Sequence, residues 1–216
     1  MEKQRNNPLA DTGNLYVVAA PSGTGKTTLV KALVEALPKV NVSISHTTRS
    51  KRTNEMHGVN YSFIHESEFK RLLAQGDFLE HAVIFDHYYG TSKSTVAETL
   101  AKGIDVILEI DWQGHQQIKD LFPYAIGIFI LPPSLEDLKE RLIKRNQDHP
   151  EVISKRLADA RETVSHIHEF EYVIINDDFA SALQDLKIII EAGRLLRNRQ
   201  TLKLDHMIRD LAKMSD

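Results

Sequence analysis

The residues with the clearest chemical potential form a glycine-rich segment, APSGTGKT, which begins at Ala20. It departs from the P-loop pattern GxxxxGK[ST] only at Ala20, where the pattern has its first glycine. Gly23 and Gly25 let the backbone curl so that consecutive N–H groups face inward and can bind phosphate oxygens. Lys26 would add a positive charge beside the β- and γ-phosphates, and the hydroxyl of Thr27 is a natural ligand for Mg²⁺. The alternative is a plain glycine turn, which the apolar run before it and the helical pattern after it disfavour.

Two acids follow a second apolar run. Glu109 and Asp111 are two residues apart at its end, so they share one face of the expected strand. Acids at the end of a parallel strand beside a phosphate loop can hold metal-bound water or a donor group of a substrate. The alternative for Asp111 is capping of the helix that begins at WQGHQQI, and Glu109 has a structural alternative as well.

Arginines occur in two groups. Arg49 and Arg52 are three residues apart after a short apolar run, and Tyr61 and Tyr89 are in the same region. Guanidinium groups match phosphate geometry, and tyrosine hydroxyls can donate to the same anion. Taken alone, these arginines are better explained as solvated surface charges.

The second arginine group lies in two segments with helical patterns, 134–145 and 151–168. Arg141 and Arg145 are four residues apart and share a helix face, and Arg156 follows on the next helix. Nearby acids leave surface ion pairs as the alternative. No pair of histidines has the spacing of a metal site with a third ligand, so we assign the histidines to surface or core.

The elements that must position these residues are read from apolar runs. Runs at 15–20, 104–111, 125–131 and 172–176, with a further candidate at 40–45, alternate with helical patterns. This alternation is typical of a parallel sheet covered by helices on both faces. We also expect a capping box at Thr95 and Glu98, a helix stop at Gly103, and one long amphipathic helix over 179–200.

Two segments interrupt this α/β pattern. The polar and mixed stretch from about 47 to 91 predicts short antiparallel strands around one small helix. The segments 134–145 and 151–168 predict two helices with modest apolar stripes and many basic residues, which is typical of a mobile lid.

Composition limits the function classes. The chain has 216 residues, of which 42% are hydrophobic and 26% charged, so we expect one elaborated globular domain. With 27 basic and 30 acidic residues the net charge is −3, which argues against nucleic acid as a partner. No cysteine, no visible secretory leader and no apolar stretch near the roughly 20 residues of a membrane span predict a soluble, cytoplasmic protein with no membrane partner.

Taken together, the motifs resemble those of bacterial guanylate kinases. The similarity rests on APSGTGKTT, SISHTTRSKR, HGVNYSF, FLEHAVIFDHYYGTS, ILEIDWQG, FILPPS and VIIND, which occur in the family's order over about 15–178. The resemblance implies a P-loop NTPase core with a parallel sheet and helices on both faces, formed by 1–44, 95–133 and 167–216. It further implies a mixed or antiparallel GMP-binding insertion at 45–94 and a helical lid at 134–166.

The resemblance also implies the reaction and its residues. ATP and GMP, and also dGMP, would be the small-molecule substrates, with Mg²⁺ as cofactor, in purine nucleotide metabolism. Thr27 would hold Mg²⁺ together with waters, and Glu109 would lie just outside the direct ligands of the ion. The implied ATP-binding residues are Ala20, Pro21, Ser22, Gly23, Thr24, Gly25, Lys26, Thr27, Thr28 and Asn176. The implied GMP-binding residues are Ser45, Arg49, Arg52, Tyr61, Glu80, Tyr89, Thr91 and Asp111. The implied catalytic residues are Lys26, Arg49, Arg141, Arg145 and Arg156.

The chemistry of guanine agrees with that assignment. Its N1–H and N2–H₂ are adjacent donors that one carboxylate, Glu80, can accept, while the Ser45 hydroxyl can donate to O6. The sequence departs from the family pattern at Lys51 and Asn54, which stand in place of Pro and Gly, and at Glu109, which stands in place of a common Asp.

Two alternatives remain at this stage. One is a nucleoside monophosphate kinase with another base preference. The other is a guanylate-kinase-like scaffold module that binds peptides, a class with degraded P-loops, whereas Gly23, Gly25, Lys26 and Thr27 are intact here. Monomer and homodimer are both compatible with the sequence.

Overall fold

The computed structural model describes residues 12–84, 86–144 and 150–213, and its centre is a five-stranded sheet. Numbered in chain order, its strands are β1 (Leu15–Ala19), β2 (Val40–Val42), β7 (Asp105–Glu109), β8 (Ile126–Leu131) and β9 (Tyr172–Ile175). All neighbouring pairs are parallel, in the order β2-β7-β1-β8-β9. The apolar runs therefore form strands, and the predicted parallel α/β core is confirmed.

Helices cover both faces of this sheet, which explains why its strands are apolar on both sides. On one face lie α1 (Lys26–Ala36) and α7 (Phe179–Arg194), whose Leu33 and Leu186 are fully buried against β1. On the other face lie α3 (Lys93–Ala101) and α4 (Trp112–Leu121), with Ile118 fully buried.

The inserted segment forms a second, four-stranded sheet. Its strands are β3 (His46–Thr47), β4 (Ser62–Phe63), β5 (Phe78–Ile84) and β6 (His87–Ser92), in the order β4-β3-β6-β5. One small helix, α2 (Glu66–Ala74), packs on it and stacks Phe69 on Phe78 at 4.4 Å. The pairing of β3 with β4 is parallel and the other two pairings are antiparallel, so the insertion is mixed, which is one of the two forms that the resemblance implied.

The segment expected to be a lid forms two helices, α5 (Leu135–Lys144) and α6 (Pro150–Ser165), followed by a 3₁₀ turn at Ile167–Glu169. Leu138 and Leu142 are fully buried and form a small apolar cluster with Ala160. This segment has a core of its own, which its modest apolar stripes did not indicate.

Two helix boundaries differ from the prediction. Helix α3 is capped by Ser92, whose hydroxyl accepts from the N–H of Thr95, so the capping box at Thr95 and Glu98 was wrong. The C-terminal helix ends at Arg194 and is followed by α8 (Arg197–Lys203) and α9 (Asp205–Lys213). The break lets Arg199 reach the carbonyl of Gly13 at 3.1 Å, a contact that a continuous helix would not make. None of the helices in the described ranges combines the length and apolar character that a membrane span requires.

A buried ion pair ties the C-terminal helix to the sheet. Asp105 at the start of β7 is 4% exposed. It accepts from the backbone N–H of Asn14 and from Nε of Arg194, each at 2.7 Å. Arg194 also donates to the carbonyl of Pro38 at 2.8 Å.

We predict that Asp105→Ala lowers the free energy of unfolding by about 1–3 kcal/mol, because it leaves the buried N–H of Asn14 and the partly buried guanidinium of Arg194 without their acceptor. Urea denaturation measures this directly. The matched control is Glu35→Ala, which removes an exposed helix pair with Lys31 and should change stability by less than about 0.5 kcal/mol. Equal effects of the two substitutions would contradict the assignment of Asp105 to a buried network.

Candidate functional site

The glycine-rich loop joins β1 to α1 at the carboxyl edge of the main sheet. Gly23 and Gly25 both have φ of 98°, a conformation that side-chain-bearing residues rarely adopt. Thr24 between them is fully buried, and its hydroxyl donates to the carbonyl of Pro21 at 2.7 Å. The loop thus has the curled backbone that phosphate binding requires.

Asn176 and Arg141 hold the outside of this loop. The side-chain amide of Asn176 donates to the carbonyl of Thr24 at 2.7 Å. Arg141 donates to the same carbonyl at 3.2 Å and to the carbonyl of Asn176 at 3.0 Å. A Cβ on Gly25 would lie 2.6 Å from the Asn176 amide nitrogen, so this approach requires glycine. Asn176 therefore braces the loop, which the sequence did not indicate.

An open cavity of about 440 Å³ lies beside the braced loop. It combines an aromatic ring, Phe179, with backbone and side-chain polar groups, which suits a flat heterocyclic base. Its lining consists of Gly23, Thr24, Gly25, Thr28, Arg141, Lys144, Asn176, Asp177 and Phe179.

Lys26 and Thr27 meet the end of β7. Nζ of Lys26 donates to the carbonyl of Ile110 at 3.2 Å. Burial lowers its pKa, while the negative charges of Glu109, Asp111 and Glu80 act in the opposite direction. The side chains of these three acids therefore help to keep the lysine charged.

The oxygen atoms of Thr27 and Glu109 suit Mg²⁺. The hydroxyl of Thr27 donates to a carboxylate oxygen of Glu109 at 2.8 Å. The residues that the structure describes contain no cluster of three metal-ligating acids or histidines. Mg²⁺ bound with a nucleotide needs no such cluster, because one or two protein oxygens suffice when waters and phosphates supply the rest. The pair that the sequence suggested is thus brought together in a form that fits the ion.

A buried polar chain forms a second part of the site. The Thr91 hydroxyl donates to Glu80 Oε1 at 2.5 Å, and the Ser45 hydroxyl lies 3.3 Å from that of Thr91. Burial, with a smaller contribution from the charge of Asp111, raises the pKa of Glu80 to about 7, although the hydrogen bond from Thr91 opposes the rise. A carboxylate kept this dry readily accepts hydrogen bonds from a ligand.

Gly114 also lies beside Glu80, a closeness that the sequence did not indicate. A Cβ at this position would lie 2.7 Å from Glu80 Oε2, so only glycine allows helix α4 to approach the carboxylate this closely. The motif WQG contained the glycine, but nothing in the local pattern connected it with Glu80.

Asp111 caps helix α4. Its Oδ1 accepts from the N–H of Gly114 at 3.0 Å, so the capping alternative is confirmed for that oxygen. Burial raises the pKa of Asp111, and its charge acts on both Glu80 and Lys26. Contact with a base remains a prediction for this residue.

The two arginines of the first group, Arg49 and Arg52, differ in their exposure to solvent. Arg49 is 14% exposed, forms an ion pair with Glu55 at 2.8 Å, and lies 5.5 Å above the Tyr61 ring. The rings of Tyr61 and Tyr89 are 5.9 Å apart, and burial raises the pKa of Tyr61 to about 12. Arg49 is therefore not a solvated surface charge, whereas the Arg52 side chain is exposed. The sequence analysis missed Glu55, whose Oε2 also accepts from the N–H of Arg52.

Of the second arginine group, two members contact the glycine loop. Arg141 bonds its carbonyl as described, and Nη1 of Arg156 lies 3.5 Å from the hydroxyl of the exposed Ser22. Glu140, the acid nearest to Arg141 in the sequence, pairs with Lys144 instead. Arg145 lies outside the described residues.

Comparison with known proteins adds independent findings. A family model described as Guanylate kinase matches residues 12–193. The guanylate kinase of Coxiella burnetii is 52% identical over 200 residues, which are 93% of this chain and 97% of that protein. For the guanylate kinase of Pseudomonas fluorescens the identity is 50% over 200 residues, with the same coverage of 93% and 97%. The crystal structure of guanylate kinase from Anaplasma phagocytophilum has a TM-score of 0.75 and 31% identity, and the match covers 88% of this chain and 91% of that one. The chain belongs to the guanylate kinase family.

Proposed function

We propose that the protein transfers the γ-phosphoryl group of ATP to GMP in a reaction that depends on Mg²⁺ and gives ADP and GDP. The observation that carries this proposal is the joining of a phosphate loop and a buried carboxylate in one site. Glu80 acts on the pKa of Lys26, so the two halves share one electrostatic environment. Phosphoryl transfer needs two aligned anions and neutralisation of the moving charge, and this arrangement would hold the anions and neutralise that charge.

GMP would bind in the insertion. The Glu80 carboxylate would accept N1–H and N2–H₂ of guanine, and the Ser45 hydroxyl, held near Thr91, would donate to O6. Arg49 and the tyrosine pair Tyr61 and Tyr89 would receive the phosphate, with Arg52 at the exposed rim. We propose dGMP as a second acceptor, because it has the same base and phosphate.

ATP would bind along the glycine loop, with its base in the cavity beside Phe179. Thr27 would hold Mg²⁺ together with waters. Glu109, which accepts a hydrogen bond from the Thr27 hydroxyl, would orient those waters. The ion, when bound, adds positive charge at the β- and γ-phosphates. Lys26 would supply a fixed positive charge at the same place, and the loop backbone, with Gly23 and Gly25 at positive φ, would direct N–H groups toward the phosphates.

The segment 134–166 would act as a lid over the core formed by 1–44, 95–133 and 167–216, with 45–94 as the GMP-binding unit. Arg141 and Arg156 already contact the glycine loop, so a small displacement brings them to nucleotide phosphates. Closure would exclude water and limit hydrolysis of ATP. We propose a cytoplasmic role in purine nucleotide metabolism with these small molecules, rather than nucleic acid or membrane, as partners.

We predict that a coupled assay of ADP release gives fast turnover with GMP and much slower turnover with AMP, CMP or UMP.

Lys26→Ala should lower kcat by orders of magnitude while GMP still binds, because the substitution removes the positive charge beside the transferring phosphoryl group and leaves the insertion unchanged. Lys31→Ala on the exposed side of helix α1 is the control and should turn over normally. Absence of ADP release with every nucleotide would favour a scaffold module, and normal turnover of Lys26→Ala would contradict the proposed loop chemistry.

We predict that Glu80→Gln strongly lowers kcat/KM for GMP. The difference in kcat/KM between GMP and AMP should become smaller. The substitution keeps the shape but replaces one acceptor with an NH₂ donor, which must face a guanine donor or turn away. A site that bonds a donor can reject an analogue without it by about 10⁴-fold, so the ratio is a sensitive measure. Glu68→Gln in the same insertion, on the exposed face of α2, is the control. A GMP:AMP ratio that is the same in mutant and wild type would remove Glu80 from base recognition.

We predict that KM for GMP rises as the pH falls below about 7. Since burial holds the Glu80 pKa near 7, protonation in this range removes an acceptor that guanine needs. Bound guanine favours the ionised form, so binding below this pH releases a proton, and KM should approach a tenfold rise per pH unit well below the pKa. KM measured between about pH 5.5 and pH 8.5 in wild type and Glu80→Gln separates this effect from ionisation of the GMP phosphate, which both proteins share. Parallel profiles for the two proteins would refute the assignment.

A further inference from the structure

Strand β5 is irregular just before the residue that we propose reads the base. Its pairing with β6 runs from Phe78 opposite Ser92 directly to Glu80 opposite Thr91, so Leu79 is an extra residue. Leu79 and Glu80 are both buried although they are consecutive, whereas successive side chains of a regular strand face opposite sides. The bulge therefore directs Glu80 toward Thr91 while Leu79 enters the main core.

The residue after the bulge is held from the other side. Strand β5 lies at the edge of the second sheet, where backbone groups lack a strand partner. The side-chain amide of Gln117 fills this place at His81: Oε1 accepts from the His81 N–H at 3.1 Å, and Nε2 donates to the His81 carbonyl at 2.7 Å. One glutamine thus makes both hydrogen bonds that a neighbouring strand would make.

The same helix face also sets the distance to the carboxylate. Gly114 and Gln117 are three residues apart on α4, so they lie on one face. The absence of a Cβ at Gly114 leaves room for Glu80 Oε2, which would lie 2.7 Å from such an atom. Gln117 bonds the backbone of His81, and Asp111 caps the start of the helix. Helix α4 is thereby fixed against the two residues that follow the bulge.

We infer that Gln117 is a positioning residue for base selection, which it serves by fixing the backbone of β5 so that the Glu80 carboxylate meets the guanine donors. This inference rests on the proposed role of Glu80. Hydrogen bonds weaken steeply away from linear geometry, and a bulged edge strand has freedom that only an outside contact removes. Gln117 supplies that contact without reaching the substrate itself.

The contribution of Gln117 to stability should be small. His81 is exposed, so water can replace both hydrogen bonds when the amide is removed. What water cannot replace is the fixed spacing between β5 and α4. Loss of the amide should therefore alter GMP recognition more than folding, a split that a purely structural residue would not produce.

The test is Gln117→Met, which keeps the length of the side chain but removes its donor and acceptor. We expect KM for GMP to rise and the GMP:AMP ratio of kcat/KM to fall by about tenfold, with KM for ATP and Tm close to wild type. In the Glu80→Gln background the same substitution should have little further effect on the ratio, because residues that act through each other are not additive. Hydrogen exchange at the His81 amide should also become faster.

The control is Gln116→Met, the neighbouring residue, which is exposed and bonds Glu169 on a different side of α4. It should leave the GMP:AMP ratio unchanged. If Gln117→Met does not fold, Gln117→Glu keeps an acceptor for the His81 N–H and undergoes the same measurements, with an intermediate ratio expected.

The outcomes separate two possible failures. In the first, Glu80→Gln lowers the GMP:AMP ratio but Gln117→Met leaves it unchanged, or the effects of the two substitutions simply add. Gln117 then does not act through Glu80 and this inference is wrong, while the proposed role of Glu80 in base recognition stands. If Glu80→Gln leaves the ratio unchanged, the proposed role of Glu80 fails and the inference fails with it.

Discussion

The carbonyl oxygen of Thr24 is the point on which the site depends, because three separate parts of the chain meet there. Strand β1 delivers the loop, β9 delivers Asn176, and α5 delivers Arg141. The register of the parallel sheet makes this possible. Ala19 pairs with Phe129 and Leu131 with Ile175, so β9 ends beside the loop although β8 lies between β1 and β9. Any shift of register by one residue would turn the Asn176 amide away and remove the shorter of the two hydrogen bonds to that carbonyl.

Electrostatics follows from the same closeness. Burial lowers the pKa of Lys26 and raises that of Glu80, so solvent exclusion favours the neutral form of each. Glu109 and Asp111 oppose this effect at the lysine, whereas Asp111 adds to it at Glu80. The neighbouring acids therefore help to keep Lys26 charged. Glu80 has a pKa close to neutral pH, and hydrogen-bond donors of a ligand would favour its ionised form.

The sequence predicted the parts that depend on local pattern. Apolar runs gave the five parallel strands, and the P-loop spacing located Lys26 and Thr27, because both signals lie in consecutive residues. Gly114 and the bulge at Leu79 were missed, because each depends on a partner far along the chain or on strand register. Glu55 was missed although its partner Arg49 is only six residues away, because no local pattern showed that the chain turns back between them. The broken C-terminal helix belongs to the same group: its amphipathic pattern continues past Arg194, which bonds Asp105 of β7, and beyond the break Arg199 bonds the carbonyl of Gly13 just before β1.

The position of Arg141 sets a condition on any movement of the lid. In this structure its guanidinium donates to two backbone carbonyls, so in each hydrogen bond only the donor is charged. A nucleotide phosphate that recruits Arg141 must replace both bonds, and it offers charged acceptors in a geometry that the guanidinium can bind with two parallel hydrogen bonds. The exchange is thus favourable only when the phosphate is present, and a ligand shifts a conformational equilibrium only by such a difference. The brace on Thr24 loses one of its two donors in that exchange, and the amide of Asn176 remains to hold the loop in its phosphate-binding form.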